Sequence, residues 1–215
     1  MNRKAAAAIV LIMTAPWSLA AIGPPAATGP ARARKATTQP ARRNLTMEMV
    51  GKVAPAFSLR SVEGRPVGTS ELAGAPATVF NFVAPNCPFC KRQLPTMEQV
   101  REKYESRGVR FINVMQTLHG AHFTPKQMSD VMNRIGAMLE IAPDDGNKIG
   151  VLYKVMSLPT TVVVRPNGVI AWVGAGVAGS TSAALSQTLD RLLQEEATGT
   201  RPSTAAPTSQ KAAAR

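Results

Sequence analysis

Hydrophobic and polar positions change their period several times along the middle of the chain, and each change predicts an element. Residues 77–83 are apolar at almost every position, which is typical of a strand buried on both faces. In the segment that follows, apolar residues recur at helical spacing from Leu94 to Tyr104. The pattern therefore predicts a central strand that leads directly into an amphipathic helix.

The same reasoning predicts the remaining elements of one folded domain. In chain order they are a β-hairpin near 57–67, a helical turn at 69–72, a strand at 109–115, a helix at 124–135, a short strand at 139–141, a brief helix at 149–153, two strands at 161–165 and 169–173, and a closing helix at 181–195. Strands that alternate with helices, followed by a hairpin and a last helix, predict an α/β domain over 47–196 with its sheet covered on both faces.

The two ends of the chain differ from this middle. Residues 1–22 begin with basic residues, continue with the apolar run 5–13 and reach small residues near Ala20, which predicts a signal peptide or a weak membrane anchor. An organellar transit peptide fits less well, because such peptides are amphipathic. We expect an exported protein, either periplasmic or anchored and facing the periplasm. Residues 23–46 are predicted to be a flexible Ala/Pro/Arg linker, and 197–215 a disordered tail.

The formal net charge of +12 comes mainly from these ends. Residues 53–196 contain 14 Lys or Arg against 12 Asp or Glu, so the predicted domain carries only +2. This distribution argues against a basic nucleic-acid-binding face on the domain. The basic tails could instead lie near an anionic membrane surface.

The chain has two cysteines, Cys87 and Cys90, separated by Pro88 and Phe89. A secreted disulfide scaffold would need more cysteines, spaced widely enough to close loops. A zinc ribbon would need a second pair of ligands. Cys87 falls where the central strand ends and the helix begins, so unpaired N–H groups and the helix dipole would favour its thiolate. Cys90 lies on the same helix face, so the pair can close a disulfide. The alternatives are an inert structural disulfide and two buried thiols.

Four motifs together resemble a known family, the thioredoxin-like oxidoreductases, most closely the exported TlpA/ResA-like branch. They are the strand Val79-Phe80-Asn81-Phe82, the Cys87-Pro88-Phe89-Cys90 pair, Pro95 within the helix, and Pro159-Thr160-Thr161. The resemblance covers roughly residues 50–195. It implies a thioredoxin fold, with a central mixed sheet flanked by helices, an N-terminal β-hairpin and an insertion before Pro159.

The resemblance also implies roles for individual residues. Cys87 would attack disulfides and Cys90 would resolve the mixed disulfide, so the redox-active pair serves in place of a cofactor or metal. Leu158 and Pro159, joined by a cis peptide bond, would bind substrate together with Asn86. Pro88 and Phe89 would tune the reduction potential. The implied partners are protein thiols and disulfides and a membrane electron donor or acceptor, with the reductive direction favoured.

Three positions depart from the family pattern. Asn86 stands where Trp is usual, Gln93 stands where reductive cytochrome-maturation members carry an acid, and Asn81 occupies the place of a buried Asp. Amides cannot accept a proton, so deprotonation of Cys90 would rely on water or on another group. The redox direction therefore stays open.

Two other functions remain as alternatives. His119 and His122 could join the cysteines in a copper site, as in Sco-like carriers, although their Gly-containing segment predicts an exposed loop. A peroxiredoxin shares much of the fold, but Ala84 stands where its Thr would be.

Two further groups of residues are given structural interpretations. Asp144 and Asp145 are expected to be turn and cap residues. Four methionines at apolar positions are expected to fill the core: Met97, Met128, Met132 and Met156.

Overall fold

The computed structural model of the chain describes residues 45–179 and 182–199. The predicted leader at 1–22, the predicted linker up to residue 44 and the predicted tail beyond residue 199 lie outside these ranges. Within the described part, no helix is both long and apolar enough to cross a membrane.

Seven strands and five helices follow one another along the described chain. In order they are β1 Ser58–Arg60, β2 Pro66–Gly68, β3 Thr78–Val83, α1 Pro88–Glu105, β4 Arg110–Met115, α2 Pro125–Arg134, β5 Glu140–Pro143, α3 Lys148–Leu152, β6 Thr160–Val164, β7 Ile170–Ala175, α4 Gly176–Gly179 and α5 Ser182–Thr198. There are also three short 3₁₀ turns in the described chain, one before β1 at Met47–Met49 and two between later elements, at Leu72–Gly74 and Asp145–Asn147.

The strands form a two-stranded hairpin, β1–β2, and a five-stranded sheet in the order β5-β4-β3-β6-β7. β3 pairs in parallel with β4, and β4 in parallel with β5. β6 is antiparallel to β3, and β7 is antiparallel to β6. The mixed sheet, with β3 at its centre, and the N-terminal hairpin agree with the predicted architecture.

β3 contributes to a core on each face of the sheet because its side chains alternate. Val79 and Val83 belong to a cluster that includes residues of α1, α2 and α5, whereas Phe80 and Phe82 belong to a second cluster around Tyr153. The rings of Phe80 and Tyr153 meet edge to face at 6.3 Å between centroids. Burial of each large apolar side chain contributes about 2–3 kcal/mol. β3, the strand that leads into α1, is therefore fixed between two packed layers.

Two details differ from the expectations. Met156 is 63 % exposed, whereas Met97, Met128 and Met132 are buried as expected. Met156 lies in the loop after α3, where no helical or strand period directs a side chain inward. The closing helix α5 ends at Thr198, three residues later than predicted.

Candidate active site

The two cysteines lie where the central strand passes into the first helix. β3 ends at Val83, and Cys87 is the N-cap residue of α1, followed by Pro88 in the first turn. Proline suits this position because its missing N–H would have had no partner there. Cys87 and Cys90 form a disulfide with their Cα atoms 5.3 Å apart. The sulfur of Cys87 accepts a hydrogen bond from the backbone N–H of Cys90 at 3.2 Å.

The two cysteines differ in solvent exposure and in their position relative to the helix N-terminus. Cys87 is 3 % exposed and Cys90 is fully buried. After reduction, the helix N-terminus would stabilise a thiolate on Cys87, because an N–H group points at its sulfur and the positive end of the helix dipole is adjacent. The exposed side chains of Lys91 and Arg92 add positive charge to this first turn. Cys87 is therefore the more accessible of the two cysteines.

Asn86, Pro88 and Phe89 are exposed neighbours of the buried sulfurs. Phe89 is 54 % exposed, and the guanidinium carbon of Arg92 lies 4.7 Å from the centre of its ring, in a cation–π arrangement. The side-chain amide of Asn86 donates to the carbonyl of Leu118 at 3.5 Å. The first turn of α1 thus presents an aromatic ring, a cation and an amide at the surface.

The segment before β6 lies at the same end of the sheet. Thr160, the first residue of β6, pairs with Phe82 near the end of β3, so Leu158 and Pro159 lie beyond the strand end from which Cys87 follows. The peptide bond between Leu158 and Pro159 is cis, the isomer that the resemblance implied. Leu158 packs against the cluster that contains both cysteines. Its backbone N–H and C=O form no hydrogen bond with any described residue.

Four buried polar side chains lie on the cysteine-bearing face of the sheet; we name Asn81, Gln93, Asn113 and Thr161 the amide cluster. The side-chain N–H₂ of Asn81 donates to Gln93 and to Asn113, each at 3.1 Å. The N–H₂ of Gln93 donates to Asn81 at 3.2 Å and to Thr161 at 3.1 Å. The hydroxyl of Thr161 donates to Asn81 at 3.0 Å. All four amide hydrogens of Asn81 and Gln93 are therefore used within the cluster.

Strand register brings this cluster together. Asn81 of β3 is directly paired with Asn113 of β4 and with Thr161 of β6, and Gln93 lies one turn beyond Cys90 on α1. Sequence reasoning noted Asn81 and Gln93 but missed the other two. The available signal was one Asn in the middle of each of two apolar strands, since an unpaired buried amide would be costly.

A second buried polar group lies at the far edge of the sheet; we name Gln116, Asp144 and the first backbone N–H groups of α3 the Asp144 cluster. The carboxylate of Asp144 accepts from the side chain of Gln116, from the N–H of Ile149 at 3.0 Å and from the N–H of Gly150 at 2.9 Å. Asp144 thus acts as a cap for α3, as its predicted role requires, whereas Asp145 is exposed. A Cβ on Gly150 would lie 2.1 Å from the Gln116 Oε1 atom, so a larger residue there would displace the Gln116 side chain from its bond with Asp144.

A cavity of about 240 Å³ opens between the Asp144 cluster and Leu158. Its lining combines a polar part with exposed or half-buried apolar side chains, among them Gln116, Asn147, Leu118, Val151, Met156 and Leu158. The sequence did not indicate this cavity, because its lining comes from three separate loops and a short helix.

His119 and His122 lie in the loop between β4 and α2, and both are exposed, as predicted for this segment. In the described ranges, no three His, Cys, Asp or Glu side chains are grouped so that they could hold a metal ion.

The mixed sheet and the cysteine pair at the start of α1 define a thioredoxin-fold oxidoreductase. The family model of the AhpC/TSA family matches residues 50–173, and the chain belongs to this family. The chain is 29 % identical over 131 residues to the thiol-disulfide oxidoreductase ResA of Halalkalibacterium halodurans, covering 61 % of this chain and 71 % of the relative. It is 30 % identical over 147 residues to ResA of Oceanobacillus iheyensis, covering 66 % and 69 %.

A solved structure supports the fold. The structure assigned to the thiol:disulfide interchange protein DsbE from Chlorobium tepidum is 24 % identical, with a TM-score of 0.58, and the match covers 67 % of this chain and 97 % of that one. The predicted thioredoxin fold, the family resemblance and the oxidoreductase class are confirmed.

Proposed function

We propose that this protein is an exported thiol–disulfide oxidoreductase that reduces disulfides in other proteins through Cys87 and Cys90. The observation that carries the proposal is the position of Cys87, whose sulfur caps the opening turn of α1 and is bonded to the more deeply buried Cys90. A helix N-terminus is where a cysteine gains thiolate character and becomes a good nucleophile. A purely structural disulfide gains no stability from a helix N-terminus, because it carries no thiolate.

The reaction proceeds in two exchanges. In the reduced protein, the Cys87 thiolate attacks a substrate disulfide; a bond forms between Cys87 and one substrate sulfur, and the other sulfur leaves as a thiolate that takes up a proton. Cys90 then loses its proton and attacks the Cys87 sulfur, which releases the second substrate thiol. Two electrons pass from the dithiol to the substrate, and Cys87 and Cys90 end as a disulfide.

The substrate would lie against the segment before β6. The free backbone N–H and C=O of Leu158 can pair with an extended polypeptide, as strand addition requires. Pro159 fixes the direction of that segment, and Asn86 supplies an exposed amide beside the cysteine pair. Pro88 and Phe89 lie between the cysteines and would set the reduction potential through the first turn of α1.

The cellular setting is part of the same proposal. The basic and apolar sequence at 1–22 would direct export, the domain would span 47–196, and the linker from residue 23 to the domain and the tail after α5 would lie near the membrane surface. A reductase outside the cytoplasm must be reduced again after each cycle. We therefore include a membrane protein as its electron donor.

A trapping experiment tests the reaction. The reduced Cys90→Ser variant, mixed with an oxidised protein such as insulin, should accumulate a thiol-sensitive adduct whose mass is the sum of the two partners. The matched Cys87→Ser variant should form far less adduct, because Cys90 is fully buried. Equal trapping by both variants, or by neither, contradicts the assignment of Cys87 as nucleophile.

The direction is tested by the reduction potential of the pair, measured by equilibration with glutathione. A value near that of thioredoxin, about −270 mV, supports a reductant, whereas a value near that of DsbA, about −120 mV, would make the protein an oxidant.

The two alternatives have separate readouts. A copper carrier would bind Cu(I) tightly when reduced and lose it in the His119→Ala or His122→Ala variant, while insulin reduction would not depend on either histidine. A peroxidase would consume hydroperoxide at the expense of its thiols. Either result, without exchange of protein disulfides, would replace the proposed function.

A further inference from the structure

The resolving thiol, Cys90, has to lose a proton before it can attack, so the groups that surround it decide how fast the second exchange runs. Gln93 lies one turn farther along the same helix, and its side chain belongs to the amide cluster. This cluster is the polar group on the cysteine-bearing face of the sheet, next to the first turn of α1.

The amide cluster offers Cys90 no base. Its members are three amides and a hydroxyl, none of which accepts a proton near neutral pH. The N–H₂ groups of Asn81 and Gln93 already donate both of their hydrogens within the cluster, so they cannot turn to stabilise a developing thiolate without breaking a buried hydrogen bond. The N–H₂ of Asn113 donates outside the cluster, to the sulfur of Met132 at 3.8 Å. The cluster is thus neutral, and the two amides nearest Cys90 along the chain have no spare donor.

The elements packed around the cysteines supply no substitute. β3, β6 and β7 contain no titratable residue. The titratable or charged groups on the other surrounding elements are Lys91, Arg92, Glu98, Arg101, Glu102, Lys103, Tyr104 and Glu105 on α1; Arg110 on β4; His119 and His122 in the next loop; Lys126, Asp130 and Arg134 on α2; Glu140 on β5; Tyr153 and Lys154 in the segment before β6; and Asp190, Arg191, Glu195 and Glu196 on α5.

Of the carboxylates among these, Glu98 is the buried one. It is held by Arg101 and by the N–H of Met138, and it lies eight residues past Cys90, about 12 Å along the helix axis. Asp144, the other buried carboxylate of the described chain, accepts from Gln116 and from the start of α3. Glu98 is distant from Cys90 along the helix, and both carboxylates already accept these hydrogen bonds, so neither is free to take the proton of Cys90.

We propose that the neutral amide cluster leaves Cys90 without a protein base, so that solvent hydroxide deprotonates it and the mixed disulfide at Cys87 is a long-lived intermediate. The inference rests on the proposed function, because it concerns the second of its two exchanges. The proton of Cys90 passes to hydroxide, the sulfur anion attacks Cys87, and the substrate thiolate leaves. Gln93 is a positioning residue here, since it acts through the cluster.

The two exchanges can be separated with a disulfide reagent that releases a coloured thiolate, dithiobis(nitrobenzoate). The full chain, first reduced, should release one equivalent in a phase that depends on reagent concentration, as Cys87 attacks, and a second in a concentration-independent phase, as Cys90 resolves. We expect the second rate to rise about tenfold per pH unit between about pH 6 and 8, below the usual pKa of a thiol near 8.5. A second phase that is independent of pH overturns the proposal.

Gln93→Glu sharpens the test, because it puts a carboxylate in the cluster. We expect the second phase to accelerate at least about tenfold at pH 6 and its pH dependence to flatten, as general-base assistance would give. Gln93→Met, which removes the hydrogen bonds without adding a base, should keep the steep pH dependence. If Gln93→Glu does not fold, Asn81→Asp places a carboxylate in the same cluster and serves instead.

The outcomes separate this inference from the function on which it rests. A missing first phase contradicts the assignment of Cys87 as nucleophile. A normal first phase with an unchanged pH profile in the folded carboxylate variant contradicts only the role of the amide cluster.

Discussion

The chain buries polar side chains in two places, and the two are built differently. The amide cluster beneath the cysteines consists of neutral side chains that donate to and accept from one another. The Asp144 cluster at the sheet edge places a carboxylate against backbone N–H groups at the start of α3 and against Gln116. Both satisfy buried polar groups, but only the second does so with an acid.

The difference follows from what each place can offer a carboxylate. The start of a helix has backbone N–H groups without partners, so an acid there gains several hydrogen bonds and the helix dipole. The middle of paired strands has no spare backbone donor, because the ladder uses them all. An amide, which both donates and accepts, can close a network there. At the start of α1, the helix that carries Gln93, the N–H of Cys90 donates to the sulfur of Cys87 and is therefore not available to a carboxylate.

The largest effect that tests this comparison is expected for Asp144→Ala. The substitution would leave the N–H groups of Ile149 and Gly150 and the amide of Gln116 buried without their acceptor. Because backbone donors cannot turn to other partners, we expect a loss of about 3 kcal/mol in the free energy of unfolding. Denaturant titration of the variant measures it. Asp145→Ala, one residue away and exposed, is the control and should change stability by no more than about 0.5 kcal/mol.

A smaller loss is expected for Asn81→Ala at the centre of the amide cluster. The three remaining side chains can rotate and pair again in part, so we expect about 2 kcal/mol, measured in the same titration. Asn133→Ala, at an exposed position on α2, is the matched control and should be nearly neutral. If Asn81→Ala costs more than Asp144→Ala, the cluster cannot re-pair and the contrast between the two sites is wrong.

Sequence patterns predicted the parts of this architecture that depend on neighbouring residues. The apolar run of β3, the helical period of α1 and the Cys-Pro-Phe-Cys motif between them were enough to place Cys87 at a helix start. Asp144 was expected to be a turn or cap residue, and it caps α3. These features arise within a few residues, so a local pattern contains them.

Features that depend on strand register were not predicted. Asn81, Asn113 and Thr161 face one another because β3, β4 and β6 pair in a particular register, which a period of two cannot specify across distant strands. The pairing of Gln116 with Asp144 spans 28 positions and was missed for the same reason. The four-residue helix α4 begins and ends with glycine, a poor helix former, and its sequence gives no helical signal.

The smallest change in the free energy of unfolding is expected at an ion pair outside both buried clusters. This pair measures how much a partly exposed charge contributes to stability. Glu195 on α5 accepts hydrogen bonds from Arg165, which directly follows β6, and from Arg191 at 3.0 Å. The bond from Arg165 lowers the pKa of Glu195 below its ordinary value. A lowered folded-state pKa contributes stability above the unfolded value, about 4.3, and that contribution is lost as the pH falls through the folded value. Glu195→Gln should therefore cost about 0.5–1 kcal/mol at pH 7, and this cost should fall as the pH is lowered from about 5 to about 2. Denaturant titrations at pH 7 and at about pH 2 measure this, with Glu102→Gln, at an exposed position on α1, as the control. If Glu195→Gln costs the same at both pH values, its effect is packing and the pair does not calibrate charge.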